Sequence, residues 1–295
     1  MKATDFLRPA IWSYAIQRFC TWYPLRRALS MLSASRRPSH AKTDFPDVER
    51  MENDLRRDGV AMLPGFISQD TIARIESHLA GATLTERFTP RRGGFTIDTV
   101  PENVHVAEYA TEHILRCQDV LALANHPILL DAAGRYLRCK PTISNISIWW
   151  SLPADGTAQE AENYHRDVDD WRFVKFFLFM NDVGADGGPH CFVRGSHRRA
   201  RFLRIRRVPD AEVTAAFDAR DLLSIGGRSG DAFLEDTFGL HKGQPPIAKR
   251  RLLLQVEYSV NPIAVYSYLA NAVNSTELDR YVNRLYIQAP RRLST

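Results

Sequence analysis

Cysteine is scarce in this sequence, which has only four in 295 residues. The four are widely scattered, and no two of them form a C-x-x-C pair. This usage provides neither a disulfide framework nor a zinc knuckle, and it is typical of a reducing compartment. Long apolar runs are also missing, since none reaches the roughly eighteen residues that a membrane-spanning helix needs. Because a signal-peptide pattern is lacking too, we expect a cytoplasmic protein.

Acidic residues are nearly absent from residues 1–42, which we call the N-terminal arm. The arm has eight Lys or Arg residues against one acid, Asp5, for a net charge of +7. The other 253 residues carry −2, so the overall charge of +5 comes from the arm. We therefore predict no nucleic-acid partner for the protein as a whole. The composition, with 44% apolar and 25% charged residues, is typical of a folded protein.

The N-terminal arm combines bulky apolar residues with arginines. Its pattern predicts a helix over Phe6–Cys20, a break at Pro24, a second helix over Leu25–Ser33 and a polar linker over Ser33–Lys42. Such amphipathic helices either pack on their own domain or a partner subunit, or lie in a membrane interface. The second arrangement predicts peripheral contact with the inner face of a membrane.

Residues 43–295 form the predicted body, in which helices come first and strands later. This order indicates an α+β protein whose second half is a β-sandwich or barrel, with flanking helices supplied mainly by the N-terminal half. The stretch from Gly81 to Val106 reads as irregular. The predicted helices are Val48–Asp58, Ser68–Leu79, Glu112–Ala124 and Ile128–Tyr136. The predicted strands are Gly59–Ile67, Pro141–Trp150, Phe173–Met180, Cys191–Val193, Asp231–Phe238 and Arg251–Val260.

Two sequence motifs contain candidate metal ligands. His165 and Asp167 are two positions apart, so on an extended segment their side chains point the same way. A histidine from a distant strand, His241, can complete a 2-His-1-carboxylate set, which leaves coordination positions open on non-haem Fe(II). His-x-Asp alone is a weak signal, and the surrounding sequence has to support the assignment.

A basic pair follows the second motif at the start of a strand. Arg250 and Arg251 precede the apolar run that begins at Leu252. An arginine there can bind a carboxylate through two parallel hydrogen bonds, as the distal carboxylate of a 2-oxo acid cosubstrate requires. The residues themselves leave both arginines as candidates.

Together these segments resemble the phytanoyl-CoA dioxygenase family of Fe(II)/2-oxoglutarate oxygenases. The resemblance covers about Asp58–Ser259, from D-G-V-A-M-L-P-G-F through H-R-D and the G-G-P-H-C-F-V-R-G-S-H segment to L-H-K-G and R-L-L-L-Q-V-E-Y. It implies an oxygenase domain over residues 43–295 with a double-stranded β-helix (jelly-roll) core, whose motifs span about 58–259, and with Fe(II) held by His165, Asp167 and His241. It also implies 2-oxoglutarate and O₂ as cosubstrates, with Arg251 as the 2-oxoglutarate anchor and Arg250 as the neighbouring alternative.

The implied reaction is hydroxylation of a small molecule with release of succinate and CO₂. Asp167 favours hydroxylation, or desaturation, over halogenation, because halogenases related to this family have a small residue at that position. Trp150 and Trp171 are candidates for a substrate wall. Arg201, in the arginine-rich run after His197, is a candidate contact for an anionic or lipid-linked substrate.

Two alternative functions predict different requirements. A cupin-type metal enzyme would not use 2-oxoglutarate, and a non-catalytic, membrane-associated jelly-roll binding protein would neither take up iron nor form succinate. The sequence leaves the substrate and the oligomeric state open.

Overall fold

A computed structural model describes residues 9–88, 93–154, 157–270, 273 and 275–287. Within these residues the helices are α1 (Pro9–Phe19), α2 (Tyr23–Ala34), α3 (Pro46–Arg57), α4 (Gln69–Leu79), α5 (Thr111–Ile114), α6 (Gln118–Ala124), α7 (Pro127–Leu137) and α8 (Asp210–Ala216). The strands are β1 (Val60–Leu63), β2 (Leu84–Glu86), β3 (Gly93–Phe95), β4 (Val106–Tyr109), β5 (Thr142–Ser151), β6 (Phe173–Phe179), β7 (His190–Val193), β8 (Leu222–Ile225), β9 (Ala232–Glu235), β10 (His241–Gly243) and β11 (Arg251–Ser259). None of the described helices is long and apolar enough to span a membrane.

The strands form two antiparallel sheets. The large sheet has the order β1-β9-β6-β11-β5-β4-β2-β3, and the small sheet has the order β10-β7-β8. Near the middle of the large sheet, β11 pairs with β5 on one side and with β6 on the other. The small sheet faces the large one, and β10 begins at the predicted ligand His241. The predicted α+β class with a jelly-roll core is therefore confirmed.

Both faces of the central strands are buried, which explains why β6 and β11 are so apolar. Phe176, Leu178 and Leu254 pack in the large core that the helices cover. Phe177 and Leu253 point the other way and pack in a second core with residues of the small sheet. Alternate side chains of these strands therefore face the large core and the second core, and both directions are buried. The site lies between the two sheets.

Helices α3 and α4 show why the first part of the body is helical. Val48, Met51 and Leu55 recur at helical spacing on α3 and are fully or almost fully buried. The side chain of Ser68 accepts a hydrogen bond from the amide of Thr71 (3.3 Å) and caps α4. Both predicted helices are confirmed within one or two residues.

Several shorter elements differ from the prediction. The predicted helix Glu112–Ala124 is two helices, α5 and α6. The stretch predicted to be irregular contains β2 and β3, and α8 and β8 were not predicted. Near the N-terminus, Pro24 lies in the first turn of α2, where proline fits, so α2 begins before it. The predicted start of α1 at Phe6 lies outside the described residues.

The predicted linker packs on the body. Helix α2 continues to Ala34, and the ring of His40 lies so close to Gly134 of α7 that a Cβ atom there would overlap it. His40 also pairs with Asp131 (2.7 Å), which accepts a hydrogen bond from the hydroxyl group of Thr43 as well. The end of the arm is thus fastened to α7.

Candidate metal centre

The three predicted ligands come together between the two sheets. The amide of His165 donates to the carbonyl of His241 (2.9 Å), and the amide of His241 donates back to that of His165 (3.1 Å). Two residues on, the amide of Asp167 donates to the carbonyl of Thr237 (3.0 Å). These backbone pairs align the H-R-D segment with the chain that leads into β10, so all three side chains meet.

The three side chains have the geometry of a metal site. One donor atom from each of His165, Asp167 and His241 lies within 4.8 Å of the other two. The Nε2 atoms of His165 and His241 are 3.5 and 3.4 Å from the oxygens of Asp167. Each Nδ1 atom lies near a backbone carbonyl, that of Asn163 (2.9 Å) for His165 and that of Gly239 (3.0 Å) for His241. A proton held on Nδ1 leaves the lone pair of Nε2 for a metal, so the donor set fits a divalent ion.

Lys175 of β6 sets the charge of the carboxylate ligand. Its Nζ atom is 2.8 Å from Asp167 and 2.8 Å from Asp169. Burial opposes ionisation of Asp167, but Lys175 and His241 outweigh it and hold its pKa well below the usual value. The two carboxylates likewise raise the pKa of Lys175 despite its burial. The pair is therefore charged at neutral pH.

Two further acids flank Lys175 in the sheet. Glu257 of β11 and Glu235 of β9 are its register partners. Burial raises the pKa of Glu257 well above the usual value and that of Glu235 to about 8. Burial thus favours the neutral form of both acids, and the carboxylates in contact with the ammonium group of Lys175 are those of Asp167 and Asp169.

A cavity of about 340 Å³ opens on the three ligands. Arg251, Leu253 and Gln255, on the inward face of β11, line its floor, and Trp149 of β5 lines one wall. Its lining also contains Asn145, Ser151, Lys175, Phe177, His190, Gly243 and Tyr266. The cavity therefore joins the candidate metal site to the candidate cosubstrate arginine.

Arg251 is a buried cation without an acidic partner among the described residues. Its guanidinium donates to Ser151 Oγ (3.0 Å) and to the carbonyl of Gly188. Its Nε atom has no hydrogen-bond partner within the part of the chain that the structure describes. Burial lowers the pKa of Arg251 to about 10, so the group stays charged at neutral pH. A buried cation that faces a cavity fits the carboxylate of 2-oxoglutarate.

Two glycines make room for this arginine. Gly188 has a φ of +70°, and a Cβ atom there would overlap the carbonyl oxygen of Gln244. Glycine at this position lets the turn before β7 present its carbonyl to Arg251. At Gly243, a Cβ atom would lie 3.1 Å from the guanidinium of Arg251. The glycine two residues after His241 therefore keeps the arginine pocket open.

The other predicted site residues do not line the cavity. Arg250 is exposed and stacks on Trp150, with 4.8 Å between its guanidinium and the ring centroid. Trp150 points to the opposite face of β5 and donates to the hydroxyl of Tyr109 (3.1 Å). Trp171 lies against Arg26 of the arm, with the guanidinium 5.6 Å from the ring. Arg201 is exposed on a loop beside the H-R-D segment.

Some lining residues were missed, although the sequence contains a signal for them. Lys175 is a single charge within an otherwise apolar strand. Gln255 follows Arg251 by four residues and Leu253 by two, on the same face of β11. For the tryptophan pair, adjacent residues of one strand face opposite ways, and cross-strand pairing of Trp149 with Leu253 puts Trp149 inside.

Solved structures with this fold include three that contain a bound metal. EctD from S. alaskensis with bound Fe is 18% identical, with a TM-score of 0.54, over 87% of this chain and 92% of that one. The epimerase SnoN with Fe3+, alpha ketoglutarate and nogalamycin RO is 14% identical, with a TM-score of 0.53, over 83% and 96%. HygX from Streptomyces hygroscopicus with nickel, 2-oxoglutarate and hygromycin B is 16% identical, with a TM-score of 0.51, over 82% and 96%. At these identities the likeness shows the shared fold.

The fold and the His-Asp-His site define a 2-oxoglutarate-dependent oxygenase of the jelly-roll class. Residues 55–246, about two thirds of the chain, match the family model described as phytanoyl-CoA dioxygenase (PhyH), and all three candidate ligands lie within this span. The chain therefore belongs to the phytanoyl-CoA dioxygenase family. No curated protein sequence matches it.

Family membership confirms the predicted cofactor use. The protein uses Fe(II), 2-oxoglutarate and O₂. This result decides against the alternative of a cupin-type enzyme that does not use 2-oxoglutarate, and against that of a non-catalytic binding protein. The assignment of individual residues to these ligands is a proposal.

Proposed function

We propose that the protein hydroxylates a small molecule while it converts 2-oxoglutarate to succinate and CO₂. The observation that carries this proposal is the buried Arg251, which forms no ion pair with an acid among the described residues and faces the same cavity as His165, Asp167 and His241. A metal site alone would suit many reactions. A metal site joined to a buried arginine that contacts no acid in the described part of the chain suits a chelating dicarboxylate.

Each residue in this proposal has a separate task. His165, Asp167 and His241 hold Fe(II) through two Nε2 atoms and one carboxylate oxygen. Arg251, held in place by Ser151 and the Gly188 carbonyl, binds the distal carboxylate of 2-oxoglutarate. A bound Fe(II) would activate O₂, one atom of which enters succinate as 2-oxoglutarate loses CO₂ while the other is inserted into a C–H bond of the substrate.

Asp167 also bears on the outcome of the reaction. A carboxylate at this position occupies a coordination site that a small residue would leave free for a halide. Lys175 holds one oxygen of that carboxylate by a hydrogen bond (2.8 Å), which fixes its orientation. These two features support hydroxylation over halogenation.

The substrate is proposed to be a small polar or anionic molecule, free or lipid-linked. Trp149 and Gln255 supply an apolar wall and an amide on the cavity surface. Arg166, between two of the metal ligands, donates to the carbonyls of Arg201 (2.9 Å) and Phe202 (3.2 Å). These hydrogen bonds hold the arginine-rich loop against the H-R-D segment, which supports Arg201 as a contact for an anion at the entrance of the cavity.

Anaerobic addition of 2-oxoglutarate to the Fe(II)-loaded protein tests the cosubstrate part of the proposal. We expect the visible charge-transfer band of the chelate, and succinate once air is admitted. Asp167→Ala should abolish the succinate because it removes a proposed metal ligand. Iron-loaded wild type that gives no band would contradict the proposal.

Hydroxylation itself is tested with cell extracts as a substrate mixture under ¹⁸O₂. We expect a product that gains one labelled oxygen atom and depends on 2-oxoglutarate. A product that has lost two hydrogens, or that has the mass of its substrate, would indicate desaturation or epimerisation and would contradict hydroxylation.

A further inference from the structure

Helix α2 has its apolar side turned outward. Leu25 and Leu32 are 42% and 50% exposed, and Trp22, just before the helix, is 59% exposed. Phe19, the last residue of α1, is 89% exposed. On an ordinary surface helix of a soluble protein these residues would face the core. We call this surface of Phe19, Trp22, Leu25, Met31 and Leu32 the apolar face of the arm.

The inward side of α2 is polar and firmly attached. Arg26 is 3% exposed and donates to the carbonyl of Asp170 (2.6 Å) and, within the arm, to that of Gln17 (3.2 Å). Its guanidinium also lies 4.3 Å from the ring centroid of Phe238. Ser30 is buried one turn further along the helix. The helix therefore cannot turn its apolar face inward without breaking these contacts.

The charged residues of the arm after Asp5 are all basic. No acidic residue occurs between Asp5 and Asp44 in the sequence. Arg18, Arg27 and Arg36 are exposed on the two helices and at the end of the second. Exposed aromatic and aliphatic side chains among arginines suit the headgroup region of an anionic bilayer.

We propose that the apolar face of the arm docks on an anionic membrane surface, with α2 lying in the plane of the interface. A second copy of this chain fits less well, because a symmetric contact would bring the arginines of both copies together without an acid to neutralise them. In the bilayer interface, by contrast, lipid phosphates pair with the arginines while the apolar side chains enter the acyl region.

Docking of this kind fixes the orientation of the candidate metal site. Asp170 and Phe238, which contact Arg26, are each three residues from a candidate ligand, Asp167 and His241 respectively. The loops that lead to the site therefore lie against the inner side of α2. A helix diameter of about 10 Å then separates those loops from the acyl region of the bilayer.

Co-sedimentation of the full-length chain with vesicles tests the proposal. We expect binding to vesicles of phosphatidylcholine with phosphatidylglycerol, little binding to phosphatidylcholine alone, and weaker binding at high salt. Each arginine at such a surface contributes about fivefold to partitioning. Arg27→Glu with Arg36→Glu should therefore reduce binding by at least about tenfold. Leu25→Ser with Leu32→Ser should also reduce it by about tenfold or more.

Matched controls lie elsewhere on the surface. Ile247 is 76% exposed and the Arg220 side chain is 83% exposed, and neither residue belongs to the arm. Ile247→Ser and Arg220→Glu should bind vesicles as the wild type does. The assay needs no turnover, so its result is independent of the proposed hydroxylation.

Two outcomes would overturn membrane docking. One is that the wild type ignores anionic vesicles, or that the arm variants bind them as well as the controls do. The other is a wild-type dimer in solution that Leu25→Ser with Leu32→Ser converts to a monomer, which would assign the apolar face to a second copy of this chain.

Discussion

Lys175 is the one charged residue in β6, and it separates two carboxylates that would otherwise share a buried site. Its ammonium group lies 2.8 Å from both Asp167 and Asp169. Removing one partner of a buried charge network leaves the others unpaired, which costs about 3–5 kcal/mol. A bound divalent metal would supply positive charge to Asp167 in place of the lysine. The effect of Lys175 on stability should therefore depend on the metal.

Lys175→Met should lower the free energy of unfolding of the chelator-treated protein by about 3 kcal/mol or more. Saturation with Co(II) or Fe(II) should reduce the difference in the free energy of unfolding between Lys175→Met and wild type, because the bound ion then neutralises the charge of Asp167. Urea unfolding with and without metal measures both values. Lys249→Met is the control, since its ammonium group is 71% exposed beside Asp186. A difference in the free energy of unfolding that stays constant on metal loading would show that Lys175 does not neutralise the charge of Asp167.

Arg251→Ala should raise the 2-oxoglutarate concentration needed for the charge-transfer band by about 100-fold, because a charge-assisted pair of hydrogen bonds is lost. Fe(II) binding should change little, since Arg251 does not contact the three proposed ligands. Anaerobic titration followed by absorbance gives both quantities. Arg250→Ala, which alters an exposed neighbour stacked on Trp150, should change the titration less than about twofold. If Arg250→Ala weakens 2-oxoglutarate binding and Arg251→Ala does not, Arg250 is the residue that binds the distal carboxylate.

For single residues, the sequence identified which residue types form the site but not which way each side chain points. The resemblance to the family allowed His165, Asp167 and His241 to be selected, because a metal needs those groups and each of them lies in a short sequence motif. Trp149 and Trp150 could not be told apart, because adjacent residues of a strand face opposite sides and both sides of β5 are buried here. Only the pairing of Trp149 with Leu253 decides which one lines the cavity.

Among the elements, long central strands were predictable and short edge segments were not. β6 is apolar except for Lys175, and β11 contains the apolar run Leu252–Leu254, as expected for strands buried on both faces. β8 is partly exposed at the edge of the small sheet, and β2 and β3 have three residues each. Segments this short bury too few side chains to produce a periodic pattern, and they depend on pairing with distant strands.

Helix α7 holds the end of the arm through Asp131. Burial opposes ionisation of Asp131, but hydrogen bonds from Arg135, Thr43 and His40 outweigh it and lower its pKa to about 2. The ordinary value is 3.8, so the folded state favours the ionised carboxylate. This contribution to stability is fully present above the unfolded pKa and is lost as the pH falls from about 4 towards 2.

Asp131→Asn should therefore reduce the free energy of unfolding by about 2 kcal/mol at pH 7. The difference from wild type should fall by about half between pH 5 and pH 3, because the wild type loses the contribution over that range. Urea unfolding at a series of pH values measures it. Asp47→Asn removes an acid that is 70% exposed and should cost little at any pH. A difference that does not depend on pH would contradict the charge-based account.

For the whole molecule, the division into residues 1–42 and 43–295 stays a prediction. Composition and charge change near residue 42, which is why the sequence indicated two parts. The contacts that join them, Arg26 with Asp170 and His40 with Asp131, connect residues roughly 90 to 140 positions apart. Sequence patterns carry no information on such pairs, so the attachment of the arm became visible only in the structure.

Arg26 makes the arm part of the same cooperative unit as the body. Arg26→Met would leave the carbonyls of Asp170 and Gln17 without their donor and remove the contact with Phe238, at a cost of about 3 kcal/mol. Hydrogen exchange should show that α2 loses protection while β6 and β11 keep theirs. Arg27→Met, at an exposed position of the same helix, should leave α2 protected. If α2 exchanges freely in the wild type as well, the arm is detached in solution, and the attachment described for Arg26 is wrong.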